Sequence, residues 1–514
     1  MAPSLPTQQE TASCALVQYL TKFMSDTNPK PRWQKLDSDL HRISRIEAAN
    51  IHVARHLLAP GVALAFMALA GLTAAVLFGQ ADGSYIVVAA AAFGAYMAIN
   101  IGANDVANNM GPAVGANVLT MGGAIVIAAI AESTGALLAG GDVVSTISKG
   151  IIDPASVQNS EVFIWAMMAA LISSAMWVNL ATWIGAPVST THSVVGGVMG
   201  AGIAAAGLSA VSWGTMSAIA ASWVISPVLG GVIAAGFLAL IRSKIQHQDD
   251  KIAAARKWVP ILLAVMAGAF STYMSVKGLK RIVTIDLEMA LLIGLSVGLL
   301  AWSVTVPWVK RKSEGMENRT RSLKTLFGLP LVISATFLSF AHGANDVANA
   351  VGPLAAIVHA AEFGEFAAKV SIPLWVMIIG AFGISFGLFL FGPRLIRMVG
   401  SQITKLNPIR AFCVALSAAI TVILASWLGL PVSSTHIAVG AVFGVGFYRE
   451  WHSERRRKQG NLQRTAQHLA PEEYRRRKLV RRSHFMTIVA AWVVTVPAAA
   501  TMSAVIYWVL TAFV

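Results

Sequence analysis

The chain has 514 residues, of which 56% are hydrophobic and only 12% charged, with a mean hydropathy of +0.66. That composition excludes a soluble globular protein and identifies an integral membrane protein, because several stretches reach the roughly 20 apolar residues a spanning helix needs. The net charge of +15 is not a nucleic-acid signal, since the basic residues cluster between apolar stretches, where the positive-inside rule places them on the cytoplasmic face.

Residues 1–60 read as a soluble, mixed-charge cytosolic extension, helical near Leu16–Met24 and Leu36–Leu58, without the basic-then-apolar order of a secretory signal. A first span occupies 61–84. A unit over 85–242 follows, then a connecting region over 243–325 with two spans of its own, then a second unit over 326–514. The second unit contains a basic cytosolic loop, 449–482, in which RRRK occurs twice. The apolar segments predict an all-α membrane protein of about 10–12 transmembrane helices. The two cysteines, Cys14 and Cys413, lie one in the extension and one in a span, so they give no disulfide framework.

The two units are duplicates. GANDVANN at Gly102–Asn109 returns as GANDVANA at Gly343–Ala350, identical at seven of eight positions, and Gly-Pro follows each copy at the same offset. APVSTTHSVVG (Ala186–Gly196) is echoed by LPVSSTHIAVG (Leu430–Gly440), and SWVISP (Ser222–Pro227) by AWVVTVP (Ala491–Pro497). Duplicated halves with Gly- and Pro-interrupted apolar segments point to a secondary transporter whose site lies at the repeat interface.

An Asp at the centre of a bilayer costs about 2.5–3.5 kcal/mol on the insertion scale, so an intramembrane carboxylate is a functional candidate. Asp105 and Asp346 supply carboxylates, Asn104, Asn108, Asn345 and Asn349 supply amide carbonyls, and Gly102 and Gly343 permit a broken helix. Carboxylate plus carbonyl oxygens suit a hard cation, with sodium possible at Asp105 and Asp346, or a proton in its place. Glu132 is a third intramembrane carboxylate, without an acidic counterpart near Gly380. It is a candidate for completing a cation site or relaying a proton, or for a place near a helix end. The competing interpretation of the octapeptides is a polar clasp between helices.

The hydroxyl-rich segments suit an anion. Pro187 and Pro431 precede Ser189, Thr190 and Thr191, and Ser433, Ser434 and Thr435. A helix that starts there directs free N–H groups and its positive dipole end at a ligand, with the hydroxyls as extra donors. Packing or back-bonding of these hydroxyls is the alternative. Phosphate keeps an O–H at neutral pH and sulfate does not, so carboxylate acceptors beside the anion favour phosphate. His192 and His436 are read as orienting groups. His342, opposite Ile101 in the other copy, is set outside the shared machinery, and Lys149 is read as interfacial.

Together, GANDVANN, GANDVANA, PVSTTH and PVSSTH resemble the PiT family of inorganic phosphate transporters, over about 85–242 and 326–514. The resemblance implies an inverted repeat, with two re-entrant hairpins meeting two broken helices, and phosphate uptake by sodium or proton symport through alternating access. It implies a multi-pass protein of the plasma (bacterial inner) membrane, commonly a homodimer in the lipid bilayer. It also implies cation and phosphate binding by Asp105, Asn104, Asp346 and Asn345, with the six hydroxyls on phosphate. No cofactor, nucleic-acid partner or enzymatic activity is expected. The alternatives are a sulfate permease of the same fold, a membrane phosphate sensor or receptor, and a membrane-embedded hydrolase. Symmetric duplication disfavours the last, because a nucleophile and its base play unequal roles.

Overall fold

Local sequence starts many of the helices. Thr120, Ser189, Asp250 and Asn407 each accept a hydrogen bond from a backbone N–H of the first helical turn, and Pro408 takes the first position after Asn407. The computed structural model describes residues 57–79, 84–153, 156–157, 159–184, 188–278, 283, 285–364, 372–402, 406–459 and 482–512. The expected helix Leu16–Met24, most of Leu36–Leu58, Cys14, Pro187 and the centre of the basic loop lie outside the described residues.

In chain order the helices are α1 (Leu57–Phe78), α2 (Ser84–Asn104), α3 (Val106–Gly115), α4 (Met121–Ala139), α5 (Gly141–Lys149) and α6 (Ser160–Ile184). Then come α7 (Thr190–Ala206), α8 (Trp213–Ile241), α9 (Lys251–Tyr273), α10 (Leu287–Ser313) and α11 (Thr320–Leu326). The last five are α12 (Gly328–Phe363), α13 (Leu374–Gln402), α14 (Pro408–Trp427), α15 (Ser434–Gln459) and α16 (Arg482–Thr511). Among the described residues, 10 helices are long and apolar enough to cross a membrane, or 11 with the bent α11–α12 pair, and there is no named strand. Residues 63–514 form one compact unit; of the other unit, residues 1–62, only the start of α1 is described.

The core is built around α12, which packs against α4, α5, α6 and α14 and is buried almost continuously from Leu338 to Val358. This corrects the expectation of two broken octapeptide helices. The second copy lies inside α12 without interruption. The first is interrupted only at Asp105, which keeps right-handed helical dihedrals (φ −91°, ψ −33°), with its N–H on the Ile101 carbonyl at 3.0 Å.

The octapeptide glycines are needed for close approach instead. A Cβ at Gly343 would sit 2.1 Å from the Glu132 carbonyl oxygen, and one at Gly102 1.8 Å from the Ile384 carbonyl oxygen. The crossings α12/α4 and α2/α13 are therefore equivalent, and Ile384 is the counterpart of Glu132 rather than a residue near Gly380. A second matched pair of crossings exchanges elements between the halves. Gly196 and Gly200 of α7 lie against Val496 and Ala500 of α16, while Gly440 and Gly444 of α15 lie against Pro227 and Gly231 of α8. Small residues four apart let these backbones touch.

The basic connections meet at one end of the molecule. Arg242 lies over the Tyr448 ring at 5.6 Å, and His247 stacks on His452 at 5.5 Å. Arg256 Nε donates to Ser313 Oγ at 2.6 Å, and Asn318 Nδ2 donates to the Asp249 carbonyl at 2.6 Å. These connections gather positive charge at one end, the pattern that the positive-inside rule associates with the cytoplasmic side.

Gly343→Ala should cost about 1–3 kcal/mol through overpacking against Glu132 and lower the Tm of the purified protein. Gly236→Ala, with nothing within 4 Å of the new methyl, should leave Tm unchanged or raised. Equal Tm values for the two variants would contradict the crossing.

Candidate functional site

The two octapeptides and the two hydroxyl-bearing helix starts converge. Asp105 and Asp346 are 2% and 1% exposed. Together with His342 they bring one oxygen or nitrogen each within 4.8 Å of one another. Thr190 Oγ1 donates to Asp105 Oδ2 at 2.6 Å, and Thr435 Oγ1 donates to Asp105 Oδ1 at 3.1 Å. Ser434 Oγ donates to Asp346 Oδ2 at 3.2 Å. Asp105 is thus held by a hydroxyl from each half.

The asparagines repeat this logic. Asn108 Nδ2 donates to Thr435 Oγ1 at 2.9 Å, and its counterpart Asn349 Nδ2 donates to Thr191 Oγ1 at 3.1 Å and Thr190 Oγ1 at 3.3 Å. All three bonds cross between halves. Asn104 and Asn345 stay at home: their amide nitrogens reach Thr182 Oγ1 at 2.8 Å and Ser426 Oγ at 2.9 Å, five residues before each Pro-Val-Ser. Asn345 Oδ1 also accepts from the Val432 N–H at 3.2 Å, which fixes the approach to α15.

Ser189 and Ser433 play a different part from their neighbours. Their oxygens accept from the N–H groups of His192 and His436, at 3.1 and 3.3 Å, and so cap α7 and α15. Each retains an O–H to donate. The start of α15 lies beside the middle of α8: Trp223, eleventh of its 29 residues, donates from Nε1 to the Pro431 carbonyl at 3.1 Å. His192 and His436 lie behind the hydroxyls, ring centroids 4.5 Å apart.

Glu132 belongs to this centre and is fully buried, not at a watered helix end. Its Oε1 accepts from Asn109 Nδ2 at 2.9 Å, and its Oε2 lies 2.5 Å from His342 Nδ1. The other ring nitrogen of His342 is 2.8 Å from Asp346 Oδ2. Sequence symmetry alone set His342 aside; its i, i+4 spacing from Asp346 on one helix face was the available signal. Lys149 is the last residue of α5 and is half-buried. Three buried oxygens of the motifs, Asp346 Oδ1, Asn349 Oδ1 and Asn109 Oδ1, have no hydrogen-bond donor. The centre therefore presents carboxylate and amide oxygens for a cation beside hydroxyl donors for an anion.

A family model described as the phosphate transporter family matches residues 101–503. The chain is 52% identical over 424 residues to a Helicobacter pylori protein named as a phosphate permease, covering 82% of this chain and 79% of that one. It is 37% identical to a similarly named protein of Pyrococcus abyssi, covering 81% of this chain and 96% of that one. It is also 37% identical to the chloroplastic inorganic phosphate transporter 2-1 of Arabidopsis thaliana, covering 82% and 71%. A solved structure described as the sodium-dependent phosphate transporter superposes with a TM-score of 0.75 at 36% identity, covering 84% of this chain and all of that one.

Glu132→Ala should leave Asn109 and His342 short of a partner in a dry site, at about 1–3 kcal/mol per unpaired group. A lower Tm of the purified protein should follow. Glu132→Gln keeps an acceptor for Asn109 and should recover part of the loss. An alanine variant as stable as the parent would contradict these contacts.

Proposed function

The chain belongs to the phosphate transporter family, and from that premise we propose that it imports inorganic phosphate together with sodium, by alternating access around Asp105 and Asp346. It is a transporter and not an enzyme. The reading that sodium is the coupling ion draws on the similar structure described as sodium-dependent, and on the chemistry of the centre.

One observation carries the proposal: the hydroxyls suited to an anion are donated to the carboxylates suited to a cation. Each hydroxyl has a single proton to give. While Thr190, Ser434 and Thr435 donate to Asp105 and Asp346, they are not available to phosphate. Sodium on the carboxylates competes with these donors for the same lone pairs and neutralises the charge that repels an anion. The released O–H groups, with the starts of α7 and α15, then turn to phosphate. Neither ion binds well alone, which is the requirement for symport. The unpaired Asp346 Oδ1 and Asn349 Oδ1 supply further oxygens for the cation.

Selection against sulfate follows from the same acceptors. A phosphate O–H donates to a carboxylate oxygen, whereas sulfate brings only lone pairs to it, and an unpaired buried acceptor is penalised. We assign the two halves to an inverted repeat, with the segments leading into α7 and α15 as re-entrant hairpins. The mid-helix position of Trp223 against Pro431 supports this. The basic end then faces the cytosol of a plasma (bacterial inner) membrane.

Asp105→Asn should abolish uptake while the protein remains in the membrane, and near-normal uptake would remove Asp105 from the mechanism. Ser434→Ala should raise the half-saturation for phosphate about tenfold, the equivalent of one hydrogen bond to a charged group, with a smaller change for sodium. An unchanged phosphate half-saturation would count against the hydroxyl exchange. In proteoliposomes, labelled phosphate should accumulate under an imposed sodium gradient and resist competition by sulfate. Accumulation under a pH gradient alone would assign the coupling to protons.

A further inference from the structure

A groove on the lipid-facing side, behind the two hydroxyl-bearing helix starts, takes no part in the transport scheme. It lies between α8 and α15 on one side and Val493 and Val496 of α16 on the other, and encloses 990 Å³. That is at the upper end of the ~300–1,000 Å³ usual for a ligand pocket. The rings of His192 and His436 and the Trp223 indole form its deep end; Phe443 and Phe447 line its length, and Tyr448 and Trp451 its mouth. It is open towards lipid: Val228, Val232, Phe447 and Val493 are each more than half exposed.

Length and charge specify the occupant. From His436 to Trp451, α15 rises about 22 Å at 1.5 Å per residue. Half of a ~40–45 Å bilayer, headgroups included, has the same depth. The groove therefore runs from the level of the helix starts to the headgroup level of the cytoplasmic leaflet. There cations cover the aromatic rings of its mouth. Arg242 lies over the Tyr448 ring at 5.6 Å and Arg455 over the Trp451 ring at 5.4 Å. Arg410 and Arg449 belong to the same neighbourhood, since Arg242, Arg410 and Arg449 repel one another electrostatically. Glu450, next to Arg449 on α15, adds one negative charge to this end. Aromatic rings at the interface and a cluster of mutually repelling guanidinium groups above an apolar slot complement an amphiphile with an anionic head.

We propose that this groove binds an anionic phospholipid of the cytoplasmic leaflet, an acyl chain lying between α8, α15 and α16 and the phosphate held at the arginine cluster. The two helix starts that carry Thr190, Thr191, Ser434 and Thr435 are then backed by a lipid chain. The site is separate from the transport centre and does not depend on which ions are carried there.

Native mass spectrometry of the full-length protein, released from mixed phosphatidylglycerol and phosphatidylcholine membranes, tests the assignment. Phosphatidylglycerol should stay bound to the wild type under activation that strips phosphatidylcholine. Ala235→Trp, which fills the groove, should lose the retained lipid, whereas Leu299→Trp on the exposed face of α10 should keep it. Arg242→Gln combined with Arg449→Gln should lower the preference for phosphatidylglycerol at least tenfold, bringing it close to that for phosphatidylcholine. Equal retention of the two lipids by the wild type, or full retention by a monodisperse Ala235→Trp protein, would overturn the proposal. So would conversion of a dimer to monomers by Ala235→Trp with lipid retention unchanged, which would make the groove a contact between copies.

Discussion

A carboxylate inside a bundle of membrane helices is tolerated only if its oxygens meet donors, because hydrocarbon offers none. Asp105 meets that requirement with Thr190 from its own half and Thr435 from the other. Neither threonine can reach it unless both hydroxyl-bearing helices begin beside the octapeptide, so the carboxylate and the fold specify each other. The Asn108–Thr435 and Asn349–Thr191 bonds extend the dependence symmetrically. A buried network of this kind is sensitive to any single loss, since an unpaired member keeps its full desolvation cost.

The helices approach closely enough for short side chains to make these contacts because glycine is placed where backbones cross. Gly343 against the Glu132 carbonyl and Gly102 against the Ile384 carbonyl draw each octapeptide against a neighbouring helix. Gly440 and Gly444 bring α15 onto α8, and Gly196 and Gly200 bring α7 onto α16. In all four pairs the two helices come from different halves. The halves are thus interleaved, and a ligand bound where they meet contacts parts of both. Such a junction suits alternating access, since rocking one half against the other changes the surroundings of the pocket.

Much of this was legible in the residues alone. The twin octapeptides, the twin hydroxyl runs and the apolar lengths gave the fold class and brought together the residues that meet. What was not legible depended on register across helices. Thr182 and Ser426, the partners of Asn104 and Asn345, lie outside the repeated motifs and are ordinary helix hydroxyls until the chain folds. Glycine in an apolar run signals a break or a close crossing equally well, and the break was the wrong choice for Gly343. His342 was discounted because its counterpart is Ile101, and symmetry is a poor filter where the molecule departs from it. Ser189 and Ser433 were grouped with the anion-binding hydroxyls, yet their oxygens serve first as helix caps.

That departure from symmetry makes the two carboxylates unequal. Both oxygens of Asp105 accept from threonine hydroxyls. Asp346 Oδ2 accepts from Ser434 and lies 2.8 Å from His342 Nε2, and its Oδ1 has no donor. Behind His342 stands Glu132, where the other half has Ile384 behind Ile101. A polar chain Asn109–Glu132–His342–Asp346 therefore runs into one side of the centre only. A cation arriving at Asp346 finds an open oxygen and displaces nothing from it. One arriving at Asp105 must compete with two hydroxyls. On the proposed mechanism this orders the events: Asp346 takes the first cation, and a cation on Asp105 frees Thr190 and Thr435 for the anion. Duplication supplies the geometry of the pocket, and the unmatched Glu132–His342 pair distinguishes its two acids.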